Sequence, residues 1–344
     1  MIKNNTYKIN TGVSTEDYRV LIFNLYKDYP NVAKSKVLEF EKAFSTDNPF
    51  FKYGRVENHF IFDNDKVVGH IAAIADERYE GIGLVGFFEC ENNQEYANWL
   101  FDKANTFLKK EGKKQCRGPI NMSAWQNFRV SYLENNQPFY LEPFTLEYYR
   151  DLFLKKGFSV GHQNITTIES IEKTKIKDYD NYYLQSIEAG YSYHLLSEEN
   201  AKEIISDIYS LTSEIFKDGY SFYKISKEEF MYFAGQYTQI PKPHYIFVLK
   251  NPEHESVGFF FAIPDLFNRE SGGVVLKTIG LLPEYRGKNL GSAMFYYIYK
   301  EAKKDGFKKL IFSTMSIDNG RIKSITDQNT VPYRKYEVYE KDII

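Results

Sequence analysis

The chain has 344 residues, 43% of them hydrophobic, which is long and apolar enough for two domains with separate cores. A formal net charge of −2 excludes a global basic field that would recruit nucleic acid. Two cysteines, Cys90 and Cys116, exclude a disulfide framework and point to a reducing cytoplasm.

The opening residues MIKNNTYKINTG lack the apolar core of a signal peptide. Val37–Phe44 reads as a short amphipathic helix. His59–Asp63 and Lys66–Ala75 flank Asn64-Asp65, a hairpin turn signal, and Leu84–Cys90 follows as an apolar, aromatic strand. Gln94–Lys110 sets Tyr96, Ala97, Leu100, Phe101, Ala104, Phe107 and Leu108 on one helical stripe, with Gly112 suited to end it. Another helix is expected around Leu146–Lys156, ending at Gly157.

The second half begins with a helix over Ser197–Lys217 and a capping box, Ser226 to Glu229, that opens another. Tyr245–Lys250 and Ser256–Pro264 flank a polar, proline-containing turn, and Val274–Leu282 is the next strand. The longest apolar runs, such as Val257–Pro264, are strand-sized and too short to cross a bilayer. A helix from about Gly291 turns Ala293, Met294, Tyr297, Ile298 and Ala302 inward and ends near Gly306. Leu310–Thr314 reads as a strand, and Tyr333–Lys341 alternates like a terminal one.

The two halves share an order: hairpin, third strand, helix ending in glycine, strand. Both hairpins place Val-Gly early in their second strand, at Val68-Gly69 and Val257-Gly258. The expectation is two α/β domains of one type, each a mixed sheet flanked by helices. The boundary falls in the charged, weakly periodic stretch Glu169–Asp180, giving domains 1–172 and 173–344.

Chemistry is signalled most clearly by Leu281–Met294, LLPEYRGKNLGSAM, where a strand meets a helix through a small, basic loop. Such a loop points backbone N–H groups at an anion at a helix N-terminus. Arg286 and Lys288 add charge, Gly291 permits close approach, and Ser292 can add a hydroxyl donor. Asn289 stands where glycine would be easiest. If that position needs a left-handed backbone, asparagine is the best replacement and keeps its N–H. The matching place in the first half, Glu89-Cys90-Glu91-Asn92-Asn93-Gln94, has two carboxylates and no glycine, so it is expected to repel a diphosphate. The six histidines share no metal-ligand spacing, and no metal is expected.

Pro283-Glu284-Tyr285-Arg286-Gly287-Lys288-Asn289-Leu290-Gly291-Ser292, placed between a strand and a helix, resembles the signature of the GNAT superfamily of acyl-CoA-dependent N-acyltransferases. It departs from that pattern at Asn289. The order of elements from about Tyr245 to Tyr339 resembles that family too, and the whole chain resembles its two-domain bacterial members of unassigned substrate. VGFFEC (Val85–Cys90) and CRGPINMS (Cys116–Ser123) are similar to the first domain of that group.

The resemblance implies acetyl-CoA or another acyl-CoA as co-substrate, bound by Ile279, Leu281, Arg286, Gly287, Lys288, Asn289, Leu290, Gly291, Ser292 and Asn319. It implies direct attack of an amine on the thioester, with the Leu281 N–H polarising the carbonyl, a carboxylate base for which Asp265 is the candidate, and Ser324 as the nearest hydroxyl for the acid. The acceptor is expected to be a small amine metabolite held between the halves, with one cofactor per chain, no nucleic-acid or membrane partner and a cytoplasmic setting. Oligomeric state is left open. Two alternatives stand beside this: a non-catalytic acyl-CoA sensor, because no carboxylate lies on Gly272–Leu282, and a Fem-type aminoacyltransferase, which would want a basic surface or a helical arm.

Overall fold

The structure, a computed structural model, describes residues 8–10, 12–132, 137–174, 176, 178–235, 245–317 and 332–343. It divides into two compact units. The first is 1–138, 143–163 and 335–344, and the second is 139–142 and 164–334. By contacts the chain therefore does not divide at 172/173. Residues Phe139–Glu142 pack with the second unit, and the C-terminal strand packs with the first.

The first unit opens with β1 (Lys8–Asn10), α1 (Thr15–Leu25) and α2 (Pro30–Ala43). Strands β2 (Gly54–Asp63) and β3 (Lys66–Asp76) form the expected hairpin, with Asn64 and Asp65 both at positive φ, as a tight primed turn requires. β4 (Ile82–Cys90) runs antiparallel to β3. Helix α3 (Gln94–Lys110) then crosses to β5 (Gln115–Gly118), which is parallel to β4. The α3 residues buried are the seven of the sequence stripe. They pack with Phe153, Phe158 and the α3-facing side of β3 and β4 in one core. On the opposite face, Tyr18 of α1 and Phe40 of α2 stack at 3.9 Å and meet His70 and Phe87 edge-on. β6 (Val130–Tyr132) and α4 (Tyr149–Lys155) complete the N-terminal part, and β7 (Ser159–Ser170) leads out of it.

The second unit starts with the latter part of β7, then α5 (Tyr179–Glu188), β8 (Ser192–Leu195), α6 (Ala201–Ile215) and α7 (Lys227–Ala234), the last opened by the Ser226–Glu229 capping box. Its remaining strands are β9 (Tyr245–Lys250), β10 (Ser256–Pro264) and β11 (Gly273–Leu281). Helix α8 (Leu290–Lys304) connects β11 to β12 (Lys309–Ser316). The sheet order is β7-β12-β11-β10-β9-β8, antiparallel except for β11 with β12. α8 and the aromatic side of α5 cover one face, and α6 and α7 the other. The final strand β13 (Arg334–Asp342) pairs with β5 and β6, so the sheet of the first unit is completed by the end of the chain.

Candidate functional site

The second unit's sheet opens along one seam. β11 pairs with β12 only from Gly273↔Lys309 to Leu276↔Phe312. At that point β11 carries a bulge: Ala262 faces Leu276 and Phe261 faces Thr278, leaving Lys277 as the extra residue. β11 then continues to Leu281 bonded only to β10. Leu282 N–H donates to Val257 O (3.0 Å). Antiparallel ladders alternate, so the N–H groups of Ile279 and Leu281 turn away from β10 toward the open seam. Ile279 is 40% exposed there.

A tight turn, Pro283–Tyr285, then delivers the chain to α8. Gly287 (φ 78°) and Asn289 (φ 59°) both adopt the left-handed region. Asn289 is the residue before the helix, at ψ 7°, so the sequence expectation about its backbone agrees with its geometry. None of the six backbone N–H groups from Gly287 to Ser292 donates to another group among the described residues. A helix N-terminus carries partial positive charge as well as free donors. Arg286 and Lys288 are exposed beside it, with Arg286 Nε donating to Leu281 O at 3.1 Å and Lys288 Nζ 4.9 Å from the Tyr285 ring centre. A Cβ at Gly287 would meet nothing within 4 Å, and at Gly291 only Leu281 Cδ1 at 3.8 Å. The protein's own packing gives no reason for glycine at 291, whereas an anion brought against the backbone does. Free donors, cations and open space together fit the diphosphate of a coenzyme A ester.

Asp265 is placed elsewhere. Its N–H donates to Gly273 O, at the beginning of β11, while Leu281 is at the end. Eight residue steps separate them, about 26 Å of strand. The Asp265 carboxylate is 3% exposed and accepts from Tyr140 N–H (2.9 Å), Phe267 N–H (3.1 Å) and Asn268 Nδ2 (2.8 Å). It organises a loop and is too far from the Leu281 amide to take a proton there. An acidic residue after an apolar strand looks the same in sequence whichever end of the site it occupies. Asn319 and Ser324 lie outside the described residues. Glu284 is exposed. Among the described residues, no three His, Cys, Asp or Glu side chains converge as metal ligands.

The first unit shows the same seam filled. Glu91 N–H donates to Val68 O (2.9 Å), just as Leu282 donates to Val257, so Cys90 occupies the position of Leu281. The Cys90 N–H donates to Tyr149 Oη (3.0 Å), and that hydroxyl donates to Glu89 Oε2 (2.8 Å). Tyr26 Oη also donates to Glu89 (2.9 Å), and Lys36 Nζ lies 2.8 Å from its other oxygen. Burial, reinforced by Glu89, holds the Tyr26 and Tyr149 hydroxyls well above the usual phenol range. The Phe87 N–H is taken by Asn121 Oδ1 (2.7 Å), Glu91 pairs with Lys66 at 2.5 Å, and Asn93 caps α3. Glu89 is thus a buried residue of β4. Sequence reading missed Tyr149, which lies 59 residues from Cys90 and has no local signal.

Residues 205–323 match the Acetyltransferase (GNAT) family. The match lies within the second unit and covers about a third of the chain. No curated protein matches the chain. Among solved structures, it resembles the GCN5-related glucosamine N-acetyltransferase region of a fungal multi-domain GH3 β-N-acetylglucosaminidase, with TM-score 0.60 and 10% identity over 99% of this chain and 38% of that one. The chain thus spans less than half the length of that protein. It also resembles a GCN5-related N-acetyltransferase from Sphaerobacter thermophilus, with TM-score 0.58 and 9% identity over 99% and 97% of the two chains. A tandem GNAT protein from the clavulanic acid biosynthesis pathway gives TM-score 0.58 and 10% identity over 98% and 99%. At these identities the likeness concerns the fold: the whole chain has the tandem GNAT fold. Among the described residues, no helix is long and apolar enough to cross a membrane.

Proposed function

We propose that the protein is an N-acyltransferase that moves an acyl group, acetyl in the simplest case, from an acyl-CoA to the amine of a small metabolite by direct transfer. The observation that carries this reading is the run of unpartnered N–H groups from Gly287 to Ser292, flanked by Arg286 and Lys288, beside a strand whose Leu281 N–H faces an open seam. In this reading, the loop holds the diphosphate. The Ile279 and Leu281 amides hold the acyl-bearing arm. The Leu281 N–H stabilises charge on the thioester oxygen as the amine attacks, a contribution commonly worth about 3–4 kcal/mol. The first unit, whose equivalent amide is bonded to Tyr149, binds no acyl-CoA, so one is held per chain.

β11 carries no carboxylate. Orientation of an already neutral amine can supply much of the rate, up to about 7–11 kcal/mol in the best cases. The same lack favours a second reading, an acyl-CoA-binding sensor without turnover. Calorimetry with acetyl-CoA, followed by thiol release across a panel of small amines, separates the two. Binding with amine-dependent thiol release supports transfer, binding without it supports the sensor, and absence of binding removes both.

A further inference from the structure

Lys277 is the one charged residue in β11, GVVLKTIGL, and it is also the extra residue of the bulge. Before the bulge, Asp265 N–H donates to Gly273 O, so alternation turns the N–H groups of Val274 and Leu276 toward β12. In an unbroken strand, those of Thr278 and Gly280 would follow. One inserted residue reverses the parity, and Ile279 and Leu281 take their place. The side chains agree: Leu276 packs on the α8 side, and so does Leu281, an odd number of residues later. A bulge of this kind leaves the extra residue unpaired and locally disrupts the ladder.

The side chain of this residue reaches a distant part of the chain. Lys277 Nζ donates to Leu141 O at 2.7 Å. Leu141 sits at φ 60°, an uncommon backbone for leucine, in the Phe139–Glu142 segment that packs with the second unit. That segment is tied on both sides of Leu141. Tyr140 N–H donates to Asp265 Oδ1, Phe139 N–H donates to Glu142 Oε2 (3.1 Å), and Glu142 Oε1 pairs with Arg334 at 2.5 Å. Glu142 and Arg334 are both buried.

We propose that Lys277 is a positioning residue for acyl transfer: its ammonium, held by the Leu141 carbonyl, fixes the β11 bulge and so turns the Leu281 N–H toward the thioester. The inference rests on the acyl-CoA reading above, and it assigns Lys277 no contact with substrate. Loss of the tie lets the strand relax toward regular pairing, and the amide leaves the carbonyl while the α8 loop is untouched.

The test uses the full chain and acetyl-CoA carrying a 13C-labelled thioester carbonyl. Infrared difference spectra report polarisation of that carbonyl, and calorimetry reports binding. In the parent protein the band moves to lower wavenumber on binding. Lys277→Met loses most of that shift while the dissociation constant stays within about threefold, and Lys277→Arg keeps it. With an active acceptor in hand, Lys277→Met lowers kcat by about 10²-fold with KM for acyl-CoA retained. A folded Lys277→Met protein with the full band shift overturns the proposal. Should that variant unfold, the milder Lys277→Gln must lose at least half of the shift, and a full shift there overturns it too. Binding by the parent protein without any band shift refutes the positioning role alone. No binding refutes the function reading beneath it.

Discussion

Gly291→Asp should keep or slightly raise stability while weakening acyl-CoA binding strongly, and the opposite directions make it informative. In the free protein a Cβ at 291 meets only Leu281 Cδ1 at 3.8 Å, an ordinary contact. Replacing glycine inside a helix recovers a few tenths of a kcal/mol of backbone entropy. A carboxylate in the first turn of α8 adds about 0.3–1 kcal/mol through the helix dipole. The melting temperature should therefore hold or rise slightly. The same carboxylate placed about 5 Å from a diphosphate costs about 1–3 kcal/mol per pair of charges at effective dielectrics of 80 down to 20. That corresponds to a loss of affinity from about fivefold to about 150-fold, before any steric loss of the Gly287–Ser292 donors. Calorimetry with acetyl-CoA and with free coenzyme A, beside a thermal melt, reads both quantities. Gly291→Ala separates bulk from charge. Affinity equal to the parent in Gly291→Asp would refute the cradle. A large drop in melting temperature would refute the claim that position 291 has room.

Three further outcomes are expected. Asn289 is held at φ 59°, so Asn289→Gly should keep acyl-CoA affinity while Asn289→Val should lose about 1–2 kcal/mol of stability in urea melts, because a β-branched residue resists the left-handed region. Tyr149→Phe strips Glu89 of one donor and leaves the Cys90 N–H without its acceptor, which should cost about 1–3 kcal/mol. Coenzyme A should still titrate to one site per chain in that variant, and a second site in the parent protein would sink the closed-seam reading. Burial pushes His70 down to about 3 and His59 down to about 4, so the folded state refuses protons that the unfolded chain takes up near pH 6.5. Stability should then be full above that pH and fall as the pH drops through it, with His70 contributing a slope of up to about 1.4 kcal/mol per pH unit. His59→Phe should make acid unfolding shallower, and an unchanged slope in urea melts at stepped pH would count against it.

The α8 loop was legible because its chemistry is local. Strand, turn, small basic residues and helix stand within fourteen residues, and the left-handed backbone found at Asn289 is one that asparagine tolerates. The α3 stripe was legible for the same reason, since periodicity needs only its own helix. Two features were not. In VVLKTIGLL nothing marks a change of parity except a lysine among apolar residues, and a lone lysine in a strand is ordinarily read as a solvated position. The partition of the chain was hidden because its evidence is long-range. Tyr339 pairs with Gly118, and Glu142 pairs with Arg334, across separations that leave no trace in local composition. The stretch near Glu169–Asp180 reads as a linker because β7 ends there and α5, which begins at Tyr179 after a left-handed Asp178, has a weak apolar pattern.

The two units also work as a controlled comparison within one molecule. Each has an antiparallel hairpin, a third strand that parts from its parallel neighbour, and an N–H displaced toward the gap by a bulge. In the first unit, the β3–β4 register breaks between His70 and Ala72, and Phe87 sits at φ 47°. In the second, the break falls at Lys277. What differs is the occupant. Asn121 and Tyr149 close the first gap from within, and Glu89 fixes Tyr149 by accepting a hydrogen bond from its hydroxyl. Removing Tyr149 alone would not convert that gap into an acyl-CoA site. Glu89 and Glu91 would still repel a diphosphate, Asn93 would still cap α3, and no glycine would let an anion reach the backbone. Backbone geometry is therefore necessary for the cradle and insufficient for it. Activity, in this reading, depends on the side chains that leave the Leu281 amide free and on the distant Leu141 carbonyl that holds its strand in register.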